Sequence, residues 1–286
     1  MLESLINPKR VEKGPWKMFF IGLLYASLSL LLVHFMFRGD SVLSKSSGLI
    51  VVLFCVMFSI PFMYFIIKNE EEEDEEVDGF FEVWRMHSDA IYAFLWLFLG
   101  FILAFSIWYI VLQDSNLLNA QIETYCNINN PGDIDKCISE YSFTSKVIST
   151  SALSNSSRFL SILGNNFGVL IFTLIFSLIF GAGAIFILAW NASVISAAIG
   201  IFTQYKLSEI PFGILRYMIH GFPEIAAYFI TALAGGMLGV GVIKNGIGNK
   251  KFPRIMKNVL ILIAIAIFIL LVAAFIEVFF TPLLFQ

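Results

Sequence analysis

Residues 167–202 read FGVLIFTLIFSLIFGAGAIFILAWNASVISAAIGIF, an apolar run of 36 residues with Gly181-Ala182-Gly183 near its middle. As a single helix it would extend about 54 Å at 1.5 Å per residue, nearly twice the roughly 30 Å of bilayer hydrocarbon. Apart from proline, glycine is the poorest helix former, so a break is expected at Gly181 and Gly183. Two short helices then meet there as a spanning hairpin or a re-entrant pair. Either arrangement returns the chain to the face from which it came.

Outward from this run, five more apolar stretches occupy residues 17–37, 48–67, 90–112, 222–243 and 257–280, each long enough to cross a bilayer as helix. Of the 286 residues 58% are hydrophobic and 14% charged, with 31 Phe and a mean hydropathy of +0.85. Soluble domains carry about 25% charged residues, so an ordinary soluble globular protein is excluded. The expected fold is all-α: a polytopic transmembrane helix bundle with a broken or re-entrant helix pair near 167–202.

The net charge of −3 hides an acidic tract between Glu70 and Asp78; the rest of the chain is mildly basic. That tract lacks the Asp/Asn-Gly spacing of a calcium loop and reads as a solvated connector. With a break at the glycines, eleven Lys/Arg fall on one side of the membrane and seven on the other. The positive-inside rule then places the N-terminus in the cytoplasm and segment 113–166 outside, in a multi-pass protein of the cell membrane. No cleavable signal peptide is read at the N-terminus, and the first span is expected to serve as the insertion signal. Three regions follow: 1–112, an interfacial segment and three spans with an acidic cytoplasmic loop; 113–166, an exported polar loop; and 167–286, the membrane core. Cys126 and Cys137 are the sensible disulfide partners, and only if 113–166 faces an oxidising compartment.

Polar groups within spans are costly and therefore informative. Glu277 lies late in the last run, before Thr281-Pro282, which is expected to stop the helix. His220-Gly221-Phe222-Pro223-Glu224 is expected to open the preceding span, with Pro223 in a first helical turn and Glu224 at the positive end of the helix dipole. Two spans separate the acids, so both belong to one membrane face. With the break, Asn165-Asn166 joins them, giving a polar cluster of Asn165, Asn166, His220, Glu224 and Glu277, with Asn191 deeper in the bilayer. Such a cluster either exchanges a proton between His220 and a carboxylate or clamps helices together. Gly235, Gly236 and Gly239 form a small-residue face for close helix packing. His34 and His87, at span boundaries, read as interfacial side chains. No His-Glu-x-x-His helix or Gly-x-Ser-x-Gly elbow is present. No enzyme, metal or cofactor is expected.

The same residues carry a family resemblance. Asn165-Asn166, the central Gly181-Ala182-Gly183, Asn191, His220-Gly221-Phe222-Pro223-Glu224-Ile225-Ala226-Ala227 and Ala274-Phe275-Ile276-Glu277 with Thr281-Pro282 resemble the stage II sporulation protein M family over roughly residues 160–286. Ala192 stands where that family usually has Gly. Asn7-Pro8, Pro15-Trp16, the acidic tract and the extra hairpin resemble the archaeal form. The resemblance implies a membrane scaffold: sporulating bacterial members recruit cell-wall hydrolases during engulfment, a process an archaeal member lacks. Scaffolding or assembly is therefore the expected function class, with a proton-linked solute or ion transporter as the alternative. Expected partners are the lipid bilayer and other membrane or exported proteins, with a homo-oligomer left open and nucleic acid excluded.

Overall fold

The computed structural model describes residues 14–40, 42–73, 80–114, 116–129, 134–141, 155–180, 184–245 and 252–284. The described residues contain helices and no strand. The helices are α1 (Lys17–Phe37), α2 (Ser47–Glu73), α3 (Phe80–Leu112), α4 (Asn119–Asn129), α5 (Ile134–Tyr141), α6 (Asn155–Phe180), α7 (Ala184–Phe202), α8 (Ile210–Asn245), α9 (Phe252–Phe275) and α10 (Thr281–Leu284). A π-helical turn, Ile276–Phe280, joins α9 to α10. Seven of these helical stretches are long and apolar enough to cross a membrane: α1, α2, α3, α6, α7, α8, and α9 continued through α10.

The run 167–202 is divided between two helices that pack against each other: Phe176 and Phe186 lie with ring centroids 6.3 Å apart, where ten residues of one helix would separate them by about 15 Å. One helix ends at Phe180 and the next starts at Ala184, and residues 181–183, with Gly181 and Gly183, lie outside the described ones.

Lipid tails are as apolar as leucine, so helices in a bilayer associate through close packing and polar bonds rather than hydrophobic burial. Both devices are present. Gly22 of α1 faces the Leu97 carbonyl of α3, and Gly100 of α3 faces the Phe19 carbonyl of α1, so a Cβ at either position would run into backbone. Trp108 Nε1 then donates to Ser27 Oγ at 2.9 Å between the same helices. In the other half, Cβ atoms on Gly235 and Gly239 of α8 would sit 2.7 and 2.5 Å from the carbonyl oxygens of Leu174 and Leu178 on α6. Gly236 is buried beside them. The halves meet on α3, whose Phe94, Phe98, Phe101 and Phe105 are buried; Phe94 stacks on Phe229 of α8 with centroids 4.7 Å apart.

Helices α4 and α5 form a cap on one end of the bundle, joined by the Cys126–Cys137 disulfide. The cap shares a small core with the frame, in which Leu118 and Ile122 pack with Tyr109 of α3 and Ala197 of α7. Gln121 Nε2 donates to Gly48 O at 3.0 Å and to Ser193 Oγ at 3.1 Å, tying the cap to α2 and α7. Asn119 Nδ2 donates to Lys45 O at 2.5 Å. The membrane side bearing this cap is called the disulfide face below.

Three boundaries differ from expectation. Helix α6 starts at Asn155, so Asn165 and Asn166 lie inside the helix rather than opening it. Ser and Asn lower helix propensity only slightly, and the polar stretch before Phe167 continues as helix. Helix α8 starts at Ile210, placing Pro223 in its interior and Glu224 far from its N-terminus. An interior proline removes one backbone bond, which membrane helices tolerate through neighbouring groups. Finally, Thr281-Pro282 does not stop the chain: after the π turn it continues as α10.

Candidate functional site

Helices α6, α8 and α9 with its π turn bring most of the polar membrane residues together. On α6, Asn165 Nδ2 donates to Asn166 Oδ1 at 3.3 Å, and Asn166 Nδ2 donates to Glu224 Oε1 of α8 at 2.6 Å. Asn165 is exposed and Asn166 is buried, so a chain of amide donors runs inward from the helix surface to a carboxylate. Glu277 of the π turn and Tyr228, one helical turn beyond Glu224, lie within electrostatic range of Glu224.

One turn toward the disulfide face, His220 Nδ1 meets Thr281 Oγ1 at 3.3 Å. Residues 220, 224 and 228 share one face of α8, since positions four apart neighbour each other on a helix. Because α8 and α9 run antiparallel, the two pairs follow one another along the helices: His220 with Thr281 nearer the disulfide face, and Glu224, within electrostatic range of Glu277, one turn further in.

The π turn presents Thr281 to His220. Its backbone N–H donates to Ile276 O, and its hydroxyl lies 3.3 Å from both Ile276 O and His220 Nδ1. Tyr217 packs edge-on to the His220 ring at 6.4 Å.

Asn191 faces elsewhere: its Nδ2 donates to Ile187 O of its own helix at 2.8 Å. His34 lies in the last turn of α1, at a span boundary, but it faces protein rather than headgroups. It is 4% exposed and its Nδ1 donates to Asp114 Oδ2 at 3.1 Å, because a carboxylate just past the end of α3 reaches it. The side chain of His87 is not among those described. Sequence reasoning missed Tyr228 and Thr281 as members of the ladder. Both were signalled by four-residue spacing from Glu224 and Glu277. Among the described residues no group of three His, Cys, Asp or Glu side chains is placed to hold a metal ion.

Seven apolar helices carrying an interhelical polar ladder define a multi-pass helical membrane protein. The chain belongs to the stage II sporulation protein M family, whose profile matches residues 50–282 and so takes in α2 and α3 as well as the half that carries the motifs. "Uncharacterized protein MJ0793" of the archaeon Methanocaldococcus jannaschii is 33% identical over 130 residues, covering 44% of this chain and 71% of that protein. No solved structure matches the chain.

Proposed function

We propose that this protein is a non-enzymatic assembly factor of the cell membrane: a closed helical frame that presents its disulfide-stapled cap to other membrane or exported proteins. The observation that carries this reading is that the polar groups of the ladder are spent on bonds between helices, Asn166 of α6 to Glu224 of α8 and His220 of α8 to Thr281 beyond α9. Beside Tyr228, the void bordered by Thr173, Ile187, Leu188, Ile225 and Phe229 holds about 10 Å³, too little for a solute. Asn166, Glu224, His220 and Thr281 bond one helix to another, the arrangement of a clamp. Family membership supports a membrane protein of this type.

The orientation proposed is N-terminus cytoplasmic and disulfide face outside. It is supported by the Lys/Arg distribution and by a disulfide that persists in oxidising compartments. A Gly246→Cys variant in native membranes is expected to react with impermeant thiol reagents only from the cytoplasmic side; labelling from outside reverses the topology.

A second reading, proton-linked transport, is favoured by one observation: Glu277, a neighbour of Glu224, sits in a π turn, a backbone feature frequent at functional sites. Two measurements on Glu277→Gln separate the readings. Photo-crosslinkers replace Glu123 and Asn127 on the exposed face of α4, with lipid-exposed Phe268 as the control position, and the reconstituted protein is assayed for proton flux. The assembly reading expects discrete adducts from α4 and none from position 268, with adducts or folded yield reduced in the variant. Unchanged adducts together with lost proton-dependent flux refute it.

A further inference from the structure

A second polar locus lies apart from the ladder, on the disulfide face. The end of α1, the 3-10 turn Leu43–Ser46, the start of α2 and the chain leaving α3 enclose a cleft of about 260 Å³. Its lining includes Arg38, Ser44, Ser47, Gln113, Asp114 and Asn116. The volume falls just below the roughly 300–1,000 Å³ of drug-sized sites, so it suits a small polar group. Because α1 and α3 end here, the cleft lies at the depth of lipid headgroups.

Its hydrogen-bond inventory is one-sided. Asp114 is engaged on both oxygens, by His34 Nδ1 and by the Asn116 N–H at 3.1 Å each. The neighbouring Asp40 accepts the N–H groups of Val42 and Leu43 at 2.8 Å each. The side-chain donors, by contrast, lack protein partners among the described residues: the Arg38 guanidinium, the Ser44 and Ser47 hydroxyls, and the Gln113 and Asn116 amides. Ser47 is the most telling. It is 4% exposed and lines the cleft, and no protein acceptor or donor meets its hydroxyl. Ser47 stands where the 3-10 turn passes into α2, its own N–H bonded to Ser44 O, which leaves the side-chain hydroxyl as its free donor. Gln113 holds a left-handed backbone, φ 49°, where the chain leaves α3 to form the cleft wall.

We propose that this cleft binds a phosphate-type oxyanion, carried by a lipid headgroup at the membrane surface or by a free phosphate compound. Arg38 supplies the charge and a planar fork of donors, and Ser44 and Ser47 supply neutral donors deeper in the cleft. Of the two acids, Asp114 is engaged by protein donors on both oxygens and faces His34, and Asp40 is not part of the lining.

The test uses the full chain purified in a phosphate-free maltoside, titrated with inorganic phosphate and separately with dihexanoyl-phosphatidylglycerol, followed by calorimetry and phosphorus NMR. Saturable binding of at least one probe is expected, weakened about tenfold or more in Arg38→Gln. Asn116→Asp, an isosteric change at an exposed position, places a carboxylate at the cleft and weakens binding in the same direction without touching the core. Lipid binding without phosphate binding identifies the headgroup as the source; binding of both identifies the oxyanion itself. The absence of saturable binding by either probe, or wild-type affinity in both variants, overturns the proposal.

Discussion

The bond from Asn166 to Glu224 is the shortest interhelical contact of the ladder, and its strength can be worked out before it is measured. At 2.6 Å it joins α6 to α8 between a buried amide and a carboxyl group. Interhelical hydrogen bonds in membrane proteins average about 0.6 kcal/mol with a maximum near 1.7, while bonds to charged groups in proteins are worth about 1.5–3 kcal/mol. A short bond to a carboxyl group inside a bundle belongs where these ranges meet, so a coupling energy of about 1–2 kcal/mol is expected. The perturbation is a cycle of Asn166→Ala, Glu224→Ala and the double variant, read from reversible unfolding in mixed micelles. Each single change also leaves a void and an unpaired partner, and the cycle cancels those terms only approximately. Asn165→Ala is the internal control: Asn165 is exposed and bonds only weakly, at 3.3 Å, to Asn166, so its loss should cost under about 0.5 kcal/mol. A coupling below about 0.3 kcal/mol would refute the clamp, because the contact would then be geometry without energy.

The glycine crossing yields a sharper contrast. Gly100→Ala drives a Cβ into the Phe19 carbonyl and to 2.8 Å from Leu23 N, and should destabilise by about 1–3 kcal/mol in thermal unfolding. Gly164→Ala, where nothing lies within 4 Å of the added Cβ, should be neutral or stabilising by up to about 1 kcal/mol; equal losses at both sites would mean that α1 and α3 do not cross at Gly100. In the loop after α1, the N–H groups of Leu43 and Val42 hold the Asp40 carboxyl below its usual 3.8. The folded value is depressed, so the turn's contribution is fully present above pH 3.8 and is lost as pH falls through the lower folded value. Amide protection at Val42 and Leu43 should therefore stay flat from about pH 7 to about pH 4 and drop only below that, whereas loss beginning near neutrality would show that Asp40 does not hold the turn.

How much of this was legible in the sequence differs element by element. The break between α6 and α7 followed from a run of 36 residues that is apolar throughout, more than one helix can keep within hydrocarbon; α8, of the same length, stays continuous but carries Arg216, His220 and Glu224 in its first half. The shared face of Glu224 and Glu277 followed from parity. Depth did not. Hydropathy begins the span near residue 222 because Arg216, His220 and Pro223 dilute the preceding stretch, yet the backbone is helical from Ile210 and Glu224 lies fourteen residues inside. Asn166 is displaced in the same sense by the early start of α6 at Asn155. The polar cluster thus belongs within the bundle rather than at helix ends, which a hydropathy boundary cannot distinguish. The Gly22 and Gly100 crossing was also hidden: small-residue motifs are read as repeats along one helix, whereas here single glycines on two helices face each other. His34 gave no signal of its own, because its partner Asp114 is eighty positions away and reaches it only once α1 and α3 have paired.

These misses share a cause, which bears on how the two halves of the frame differ. Between α1 and α3, contact is made by backbone against backbone, with one tryptophan-to-serine bond added. Between α6, α8 and α9, close approach at Gly235 and Gly239 is combined with the ladder, which includes the ionisable His220 and Glu224. Glycine contacts depend on shape and are indifferent to pH, whereas a rung made of His220 and Thr281 depends on which ring nitrogen carries the proton. The π turn selects the partner, because it brings the Thr281 hydroxyl within 3.3 Å of both Ile276 O and His220 Nδ1. A regular α-helix through 276–281 would direct the Thr281 N–H to Glu277 O instead of Ile276 O. The backbone irregularity and the contact with His220 therefore belong to one stretch, the same one that carries Glu277.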